Sequence, residues 1–389
     1  MFNKSQEELS ALGASITTSE IKRQPHLWEG CLGIYDESEA QIKAFLEKAR
    51  ELGGSRRTHI VFTGAGTSAY VGDTLTPYLR HRGDNADFVF QALPTTDIVS
   101  APLDFLRPDD PTMLVSFARS GNSPESLAAV ERASAVVKDL LYLNITCAPE
   151  GALAHRFTGD DSSLTLLIPD ANDQGFAMTG SYSCMLLMAL LIFDTAPKSQ
   201  KLAWIHQAAQ MGRMVVEHED RIFSWLSTDI NRITYLGSGS LGAMAREAQL
   251  KILELTAGKI ATSFDTSMGY RHGPKSFVDG KTLVIDFVSN DSYTRQYDLD
   301  ILNEISSDSI TQHIVAIQQD AEPLFAGTNF TFPGDTLLPE AYAALPFMMV
   351  AQTLALNMSV LVGNTPDTPS PSGTVNRVVK GVVIHPFEL

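Results

Sequence analysis

The sequence is poor in cysteine. Cys31, Cys147 and Cys184 are the three in 389 residues, far apart and in no metal-ligand or redox spacing. That excludes a disulfide scaffold and points to reduced thiols and a cytoplasmic location. It is also poor in basic charge, with 29 Lys and Arg against 45 Asp and Glu and a net charge of −16. A chain so acidic repels phosphodiester backbones at long range, so nucleic acid is not an expected partner. The opening MFNKSQEELSALGAS has no apolar core of the kind a signal peptide carries. The most apolar stretch, Cys184 to Phe193, is shorter than the roughly 20 residues that a bilayer span needs, and is expected as a buried helix. No membrane association is expected. What remains is an ordinary globular composition, 44% hydrophobic and 19% charged, in a chain long enough for two or three domains with real cores.

Residues 1 to 44 are expected as a helical lead-in; Ile42, Phe45 and Leu46 fall at helical spacing, and Gly53-Gly54 ends the run. A strand at His59–Phe62 then enters the turn Thr63-Gly64-Ala65-Gly66-Thr67-Ser68. A helix follows, with Pro77 expected to kink or stop it. Further strands are expected at Phe88–Phe90, Met113–Phe117, Leu141–Ile145 and Leu164–Ile168. After the third, Ser123 suits an N-cap and Pro124 the first helical position, and Leu127, Val130, Ala133 and Val137 mark one helix face. Strands alternating with helices imply a parallel sheet covered on both faces.

The plan then repeats. Tyr235-Leu236-Gly237-Ser238-Gly239-Ser240 restates the first glycine turn, Thr282–Phe287 restates Thr112–Phe117, and Ile314–Ile317 restates Leu141–Ile145, each about 170 residues on. The expectation is an α/β fold of two tandem three-layer α/β/α domains, each with a mostly parallel, flavodoxin-like five-stranded sheet. The first spans 45–205 and the second 214–364. A linker near Pro197–Arg213 joins them, and a tail, 365–389, closes the site. The copies differ after the third strand. The first continues Ala118-Arg119-Ser120-Gly121-Asn122-Ser123; the second loses the Ser-Gly-x-Ser pattern and gains Asp291, so the first suits an anion better.

Ligands of open parallel sheets bind outside the carboxyl ends of the strands. Both loops of the first copy lie at that rim. Gly64 and Gly66 permit a tight turn, Thr67 and Ser68 add hydroxyls, and the next helix directs its first amides at the turn. Ser120, Ser123 and Arg119 extend the set, giving a fair site for a phosphomonoester. Gly64-x-Gly66-x-x-Ala69 and Gly237-x-Gly239-x-x-Gly242 also fit a dinucleotide fingerprint. That reading wants an acid near the end of the second strand, where Gln91-Ala92-Leu93 stands instead.

In the second copy Glu247, Lys251 and Glu254 share one helix face, at i, i+4 and i+7. The plainest account is a solvated stripe with an ion pair. The chemical account is a carboxylate that carries a proton between adjacent carbons, beside a lysine that keeps it ionised. His272, in the turn Gly269-Tyr270-Arg271-His272-Gly273-Pro274-Lys275, titrates near neutrality wherever it is unperturbed. Lys380 by default is a surface lysine at a strand edge.

Taken together and in order, these segments resemble the SIS (sugar isomerase) family in its double-domain form, over most of residues 45 to 385. The turn at Thr63–Ser68 looks like the family's first phosphate loop, and Ser116–Ser123 like its serine-rich second loop. Glu247–Glu254 resembles the catalytic helix of the isomerase half of glucosamine-6-phosphate synthase. Arg271-His272-Gly273-Pro274 resembles that half's K-H-G-P turn, and Thr365–Lys380 its tail. The resemblance implies that Gly66, Thr67, Ser68, Arg119, Ser120 and Ser123 hold the phosphate of a hexose or hexosamine 6-phosphate. Glu254 then moves a proton between C1 and C2, and Lys251 supports it. His272 opens the ring, reaching across from the other subunit of a homodimer or higher oligomer, and Lys380 borders the sugar. Ala118 and Arg119 depart from the related loop, which has a hydroxyl residue and Gln there, so the phosphate's polar partners differ here. No metal or organic cofactor is called for. Only about 45 residues precede the first domain, too few for a glutaminase domain, so an isomerase or deaminase is expected rather than an amide-transferring synthase. The likeness is to the AgaS branch, galactosamine-6-phosphate deaminase/isomerases formerly called tagatose-6-phosphate ketose/aldose isomerases. The alternatives are a plain aldose/ketose 6-phosphate isomerase, or a non-catalytic sugar-phosphate sensor, in which Glu254 and His272 would be superfluous.

Overall fold

Among the described residues, short runs of branched and aromatic residues bounded by turns build ten strands. A computed structural model describes every residue except Asp335, Lys380 and Leu389; the site residue expected at Lys380 therefore lies outside the described residues. The strands are β1 Thr58–Thr63, β2 Phe88–Ala92, β3 Thr112–Ala118, β4 Leu140–Thr146, β5 Ser163–Leu167, β6 Arg232–Gly237, β7 Ala261–Thr266, β8 Thr282–Phe287, β9 Ile314–Gln319 and β10 Thr328–Phe332. They form two five-stranded sheets, ordered β2-β1-β3-β4-β5 and β10-β9-β8-β6-β7, with every pairing parallel. Read from its other edge, the second order is the first again. It is the flavodoxin order, in which the chain reverses direction between the first and third strands of each sheet. The central strands β3 and β8 are buried along their whole length, as sheets covered on both faces require.

The chain divides into two compact units, one for each sheet. The first-copy unit comprises Leu27–Asp173, Gly180–Leu202 and Val375–Leu389; the second-copy unit comprises Met1–His26, Gln174–Thr179 and Ala203–Thr374. The lead-in expected as one piece is thus shared between units, and so is the C-terminal segment. Within the second-copy unit Asp367 accepts hydrogen bonds from the Ile16 and Thr17 amides and the Thr17 hydroxyl, at 3.0, 2.8 and 2.8 Å.

The stretch expected to join the copies, Pro197–Arg213, is mostly the helix Lys198–Glu217, and the boundary between the two units, Leu202 to Ala203, falls within it. Two local features differ from expectation. The helix after the first glycine turn runs through Pro77 to Arg82. The edge strands β7 and β10 were not foreseen: β7 reads Ala-Thr-Ser-Phe-Asp-Thr and is largely solvent-facing, and β10 alternates over only five residues, with Phe330 and Phe332 buried.

The Gly180–Phe193 helix is buried at every position, as expected of an apolar core helix. A longer one, Glu340–Leu361, escaped notice. It is long and apolar enough to cross a membrane, yet 89% of its apolar window is buried inside the protein. Gln352 Oε1 accepts from Gln24 Nε2 at 2.6 Å and Asn357 Nδ2 donates to Glu219 at 2.9 Å, while Gln352 Nε2 is buried with no hydrogen-bond partner among the described residues. The three cysteines, remote in sequence, are all free and buried. Burial pushes the Cys147 and Cys184 thiols well above their usual range, which leaves them protonated and inert.

Candidate active site

The first-copy unit carries the expected anion loops. Gly64 and Gly66 are there for different reasons. A Cβ on Gly64 would sit 2.6 Å from the Ser68 backbone, so only glycine lets β1 turn straight into the next helix. Gly66 has φ +56°, the left-handed region that favours glycine. Thr67 and Ser68 open the helix Thr67–Arg82 and are buried at 4% and 5% exposure. At the end of β3, Gly121 takes φ +67° and turns the second loop. Ser123 is the N-cap of the helix Pro124–Val136, with Pro124 at its first position, but its side chain makes no capping hydrogen bond. Its hydroxyl is therefore not committed to the helix that it begins. Ser120 Oγ accepts from the Asn122 amide at 3.3 Å. Both loops lie at the carboxyl ends of β1 and β3, where the strand order reverses.

Arg119 has a role that the sequence did not suggest. It is buried, and its Nη2 donates to the Arg377 carbonyl of the C-terminal segment at 2.6 Å. Arg377 in turn donates from Nε to the Asp173 carbonyl at 3.1 Å and from Nη2 to Asn172 Oδ1 at 3.3 Å. Further on, Arg132 donates to the His385 carbonyl at 2.6 Å and lies 5.4 Å from the centre of the Phe387 ring. The C-terminal segment of this unit is thus fastened by arginines of the body beneath it.

The second-copy unit carries the expected acid–base residues on the helix Gly239–Leu255. Lys251 Nζ lies 2.6 Å from Glu254 Oε2 and 3.1 Å from Glu247 Oε1. The Lys251 and Glu247 side chains have no exposed surface at all, while that of Glu254 keeps 22%. This is not the solvated stripe that spacing alone allows. Burial opposes the charge on Lys251, but the two carboxylates outweigh it and hold the ammonium above its usual range. Desolvating a lysine and two carboxylates costs several kcal/mol per ion before their attraction is counted, so such a cluster is weak evidence for stability and better evidence for a task. Its geometry leaves Glu254 as the member that can meet a solute, with a fixed cation behind it. Glu247 was noted for its spacing but not placed in the site. Its spacing carried no clear sign of burial, since the apolar Ala248 and Ile252 lie on a neighbouring face of the helix and its own face carries Lys251 and Glu254.

His272 stands apart from that cluster. It ends the short turn Gly269–His272 and is exposed. Its neighbours are anchored and it is not: Arg271 Nε meets Glu304 at 2.6 Å, and Lys275 Nζ meets Glu304 at 2.5 Å and Asp308 at 2.9 Å. His272 itself makes no hydrogen bond or ion pair among the described residues. The turn holds its backbone and presents the imidazole outward.

In the second copy the acid noticed in the sequence, Asp291, does local work. It accepts from the Tyr293 and Thr294 amides at 3.1 and 2.9 Å and so caps the helix Thr294–Asp308. Those amides hold its carboxyl below the usual carboxylate range. The acid at the strand-order reversal is Asp298, which is fully buried and which the sequence reading passed over.

Known proteins supply the context for this geometry. The SIS domain model matches residues 55–193, the first copy. The D-galactosamine-6-phosphate deaminase AgaS of Escherichia coli is 43% identical over 379 residues, covering 96% of each chain. The crystal structure of tagatose-6-phosphate ketose/aldose isomerase from Escherichia coli superposes with a TM-score of 0.85 at 40% identity, over 96% of this chain and 97% of that one. The C-terminal domain of glucosamine-fructose-6-phosphate aminotransferase from Francisella tularensis shares the fold, with a TM-score of 0.72 at 19% identity, over 90% of this chain and 96% of that one. With likeness of this degree along nearly its whole length, the chain belongs to the AgaS family of SIS-domain proteins.

Proposed function

We propose that the protein is a galactosamine-6-phosphate deaminase/isomerase, converting the amino sugar phosphate and water to tagatose 6-phosphate and ammonia. The single observation that carries this reading is the buried Glu247–Lys251–Glu254 cluster in a chain 43% identical to AgaS over 96% of its length. Gly66, Thr67, Ser68, Ser120 and Ser123 hold the phosphate through amides and hydroxyls. Arg119 backs that loop while clasping the C-terminal segment. His272 opens the ring, and in the oligomer it serves the site of a second subunit. Glu254 takes the proton from C2, giving an enolamine, and returns it at C1. Water adds to the resulting C2 iminium and ammonia leaves. Lys251 donates to Glu254 and fixes its orientation, Glu247 keeps Lys251 charged, and Lys380 borders the sugar. Anchoring the phosphate makes the proton transfer effectively intramolecular. The three buried, free thiols fit a cytoplasmic location.

The test is incubation of the purified chain with galactosamine 6-phosphate, with ammonia and ketose assayed together. Equal yields of both are expected. A second reading, plain aldose/ketose isomerisation, is favoured by the name of the 40% identical Escherichia coli structure. Ketose from a neutral aldose 6-phosphate, with no ammonia from the amino sugar, would select it. Tight binding of hexose phosphates without any turnover would select a sensor.

A further inference from the structure

The two strand-order reversals have the same backbone and different contents. Gly64 and Gly237 correspond, and a Cβ on either would strike the backbone four residues on, at 2.6 Å in one and 2.8 Å in the other. Gly66 and Gly239 correspond, with φ +56° and +55°. Thr95 and Ser267 correspond, each donating its amide to the carbonyl of the first turn glycine, at 2.8 and 3.0 Å. From the equivalent Phe117 and Phe287 both chains run seven residues to the first residue of a helix, Pro124 or Thr294, and eleven to Ala128 or Asp298.

Where the first copy has the methyl group of Ala128, the second has a carboxylate, and three donors converge on it. Ser238 Oγ and Ser267 Oγ donate to Asp298 Oδ1 at 2.5 and 2.6 Å, and the Ser289 amide donates to Oδ2 at 2.9 Å. Ser238 belongs to the glycine turn and corresponds to Ala65; Ser289 corresponds to Arg119 in the second loop. Both loops that offer donors to an outside anion in the first copy are therefore engaged by an internal anion in the second. The site is also closed from beneath. Asp286, fully buried in β8 at the position of Ser116, lies 3.3 Å from Ser267 Oγ, and its Oδ1 has no hydrogen-bond partner among the described residues. Burial, and then the charge of Asp298, push the Asp286 carboxyl well up. Burial raises Asp298 too, but the Ser238, Ser267 and Ser289 donors pull it back down, so of the two Asp286 holds a proton more readily. Ser289 Oγ is bonded to Glu340.

We propose that Asp298 is a tethered stand-in for a phosphate, which fills the anion cradle of the second copy so that one chain takes one phosphorylated sugar and not two. The duplicated fold brought two cradles. A carboxylate carried on the chain's own helix keeps one of them shut without the entropy loss of capturing a free ion. That leaves the second copy to supply acid–base groups while the first supplies the anchor. The first half of this division rests on the sugar-phosphate reading above; the filled cradle does not.

Equilibrium dialysis with inorganic phosphate, on the full chain, tests it. The wild type should bind one equivalent per chain, and two equivalents would overturn the proposal. Asp298→Ala should gain a second equivalent; a folded Asp298→Ala chain that gains none would overturn it. Should that variant not fold, the converse change carries the test. Ala128→Asp, paired with Ala65→Ser to supply the matching hydroxyl, should weaken phosphate binding by about tenfold or more through like-charge repulsion in the first cradle. Wild-type affinity in that variant would overturn the proposal. If the wild type binds none and Asp298→Ala binds one, the filled cradle stands and the phosphate role of the first copy falls.

Discussion

The two halves of this molecule share a strand order, a glycine turn and a helix register, and they use them in opposite ways. At the first reversal the second loop leaves Ser123 without a capping bond, and Ala128 adds no polar group. At the second, Asp298 takes up the hydroxyls of Ser238 and Ser267 and the amide of Ser289. Yet it is the second copy whose helix buries a lysine between two carboxylates. The first copy has the helix Thr67–Arg82 in that place, which has no Glu or Lys. Duplication thus yields two like backbones, and substitution at a few positions gives one an internal carboxylate and a buried acid–lysine cluster that the other lacks; under the proposed function, one anchors and the other transfers protons.

Three changes bear on this contrast, in falling order of effect. Glu254→Gln keeps the shape of the helix face but removes the base. Turnover should fall by about 10³-fold, the range general acid–base groups supply, while phosphate binding is unchanged. A near-normal rate would remove Glu254 from the chemistry and blur the division between the copies. Ser123→Ala should do the reverse. One lost hydrogen bond to a dianion is worth about 1.5–3 kcal/mol, so KM should rise roughly 10- to 100-fold with the saturated rate little altered. An unchanged KM in steady-state assays would mean that Ser123 does not touch the phosphate.

The smallest effect belongs to Asp286. Its folded-state value is raised by burial, so the native state holds its proton more tightly than the unfolded chain does. Its contribution to stability is therefore complete below the unfolded value near 4 and is lost as pH rises through the folded value. Asp286→Asn, which copies the protonated form, should match the wild type at pH 4. It should exceed it at neutral pH, seen as a Tm that is higher there and converges with the wild type as pH falls. A stability gap that does not change with pH would show that Asp286 is not the proton carrier of the pair.

Much of this was legible in the chain itself. Alternation of strands and helices, the glycine turns and their repeat near 170 residues gave the α/β class, the duplication and the strand order's rim. Local pattern suffices for these because apolar periodicity and turn chemistry act over a few residues. Edge strand β7 was not legible, since a strand half open to solvent need not alternate, and β10 alternates only at Phe330 and Phe332, too short a run to stand out. The helix Glu340–Leu361 shows the same limit from the other side: its sequence alone does not distinguish a bilayer from a protein interior, and only its packing decides.

The site divides along the same line. By itself the sequence determined which residue types stand at the loops and on the helix Gly239–Leu255, because spacing along one element fixes which side chains share a face. Tertiary structure alone decided that Lys251 and Glu247 are sealed from water, that Arg119 clasps the Arg377 carbonyl, and that Asp298 fills the second cradle. Burial and partnership depend on elements tens to hundreds of residues away, and a charge means something different in water than beneath a packed helix.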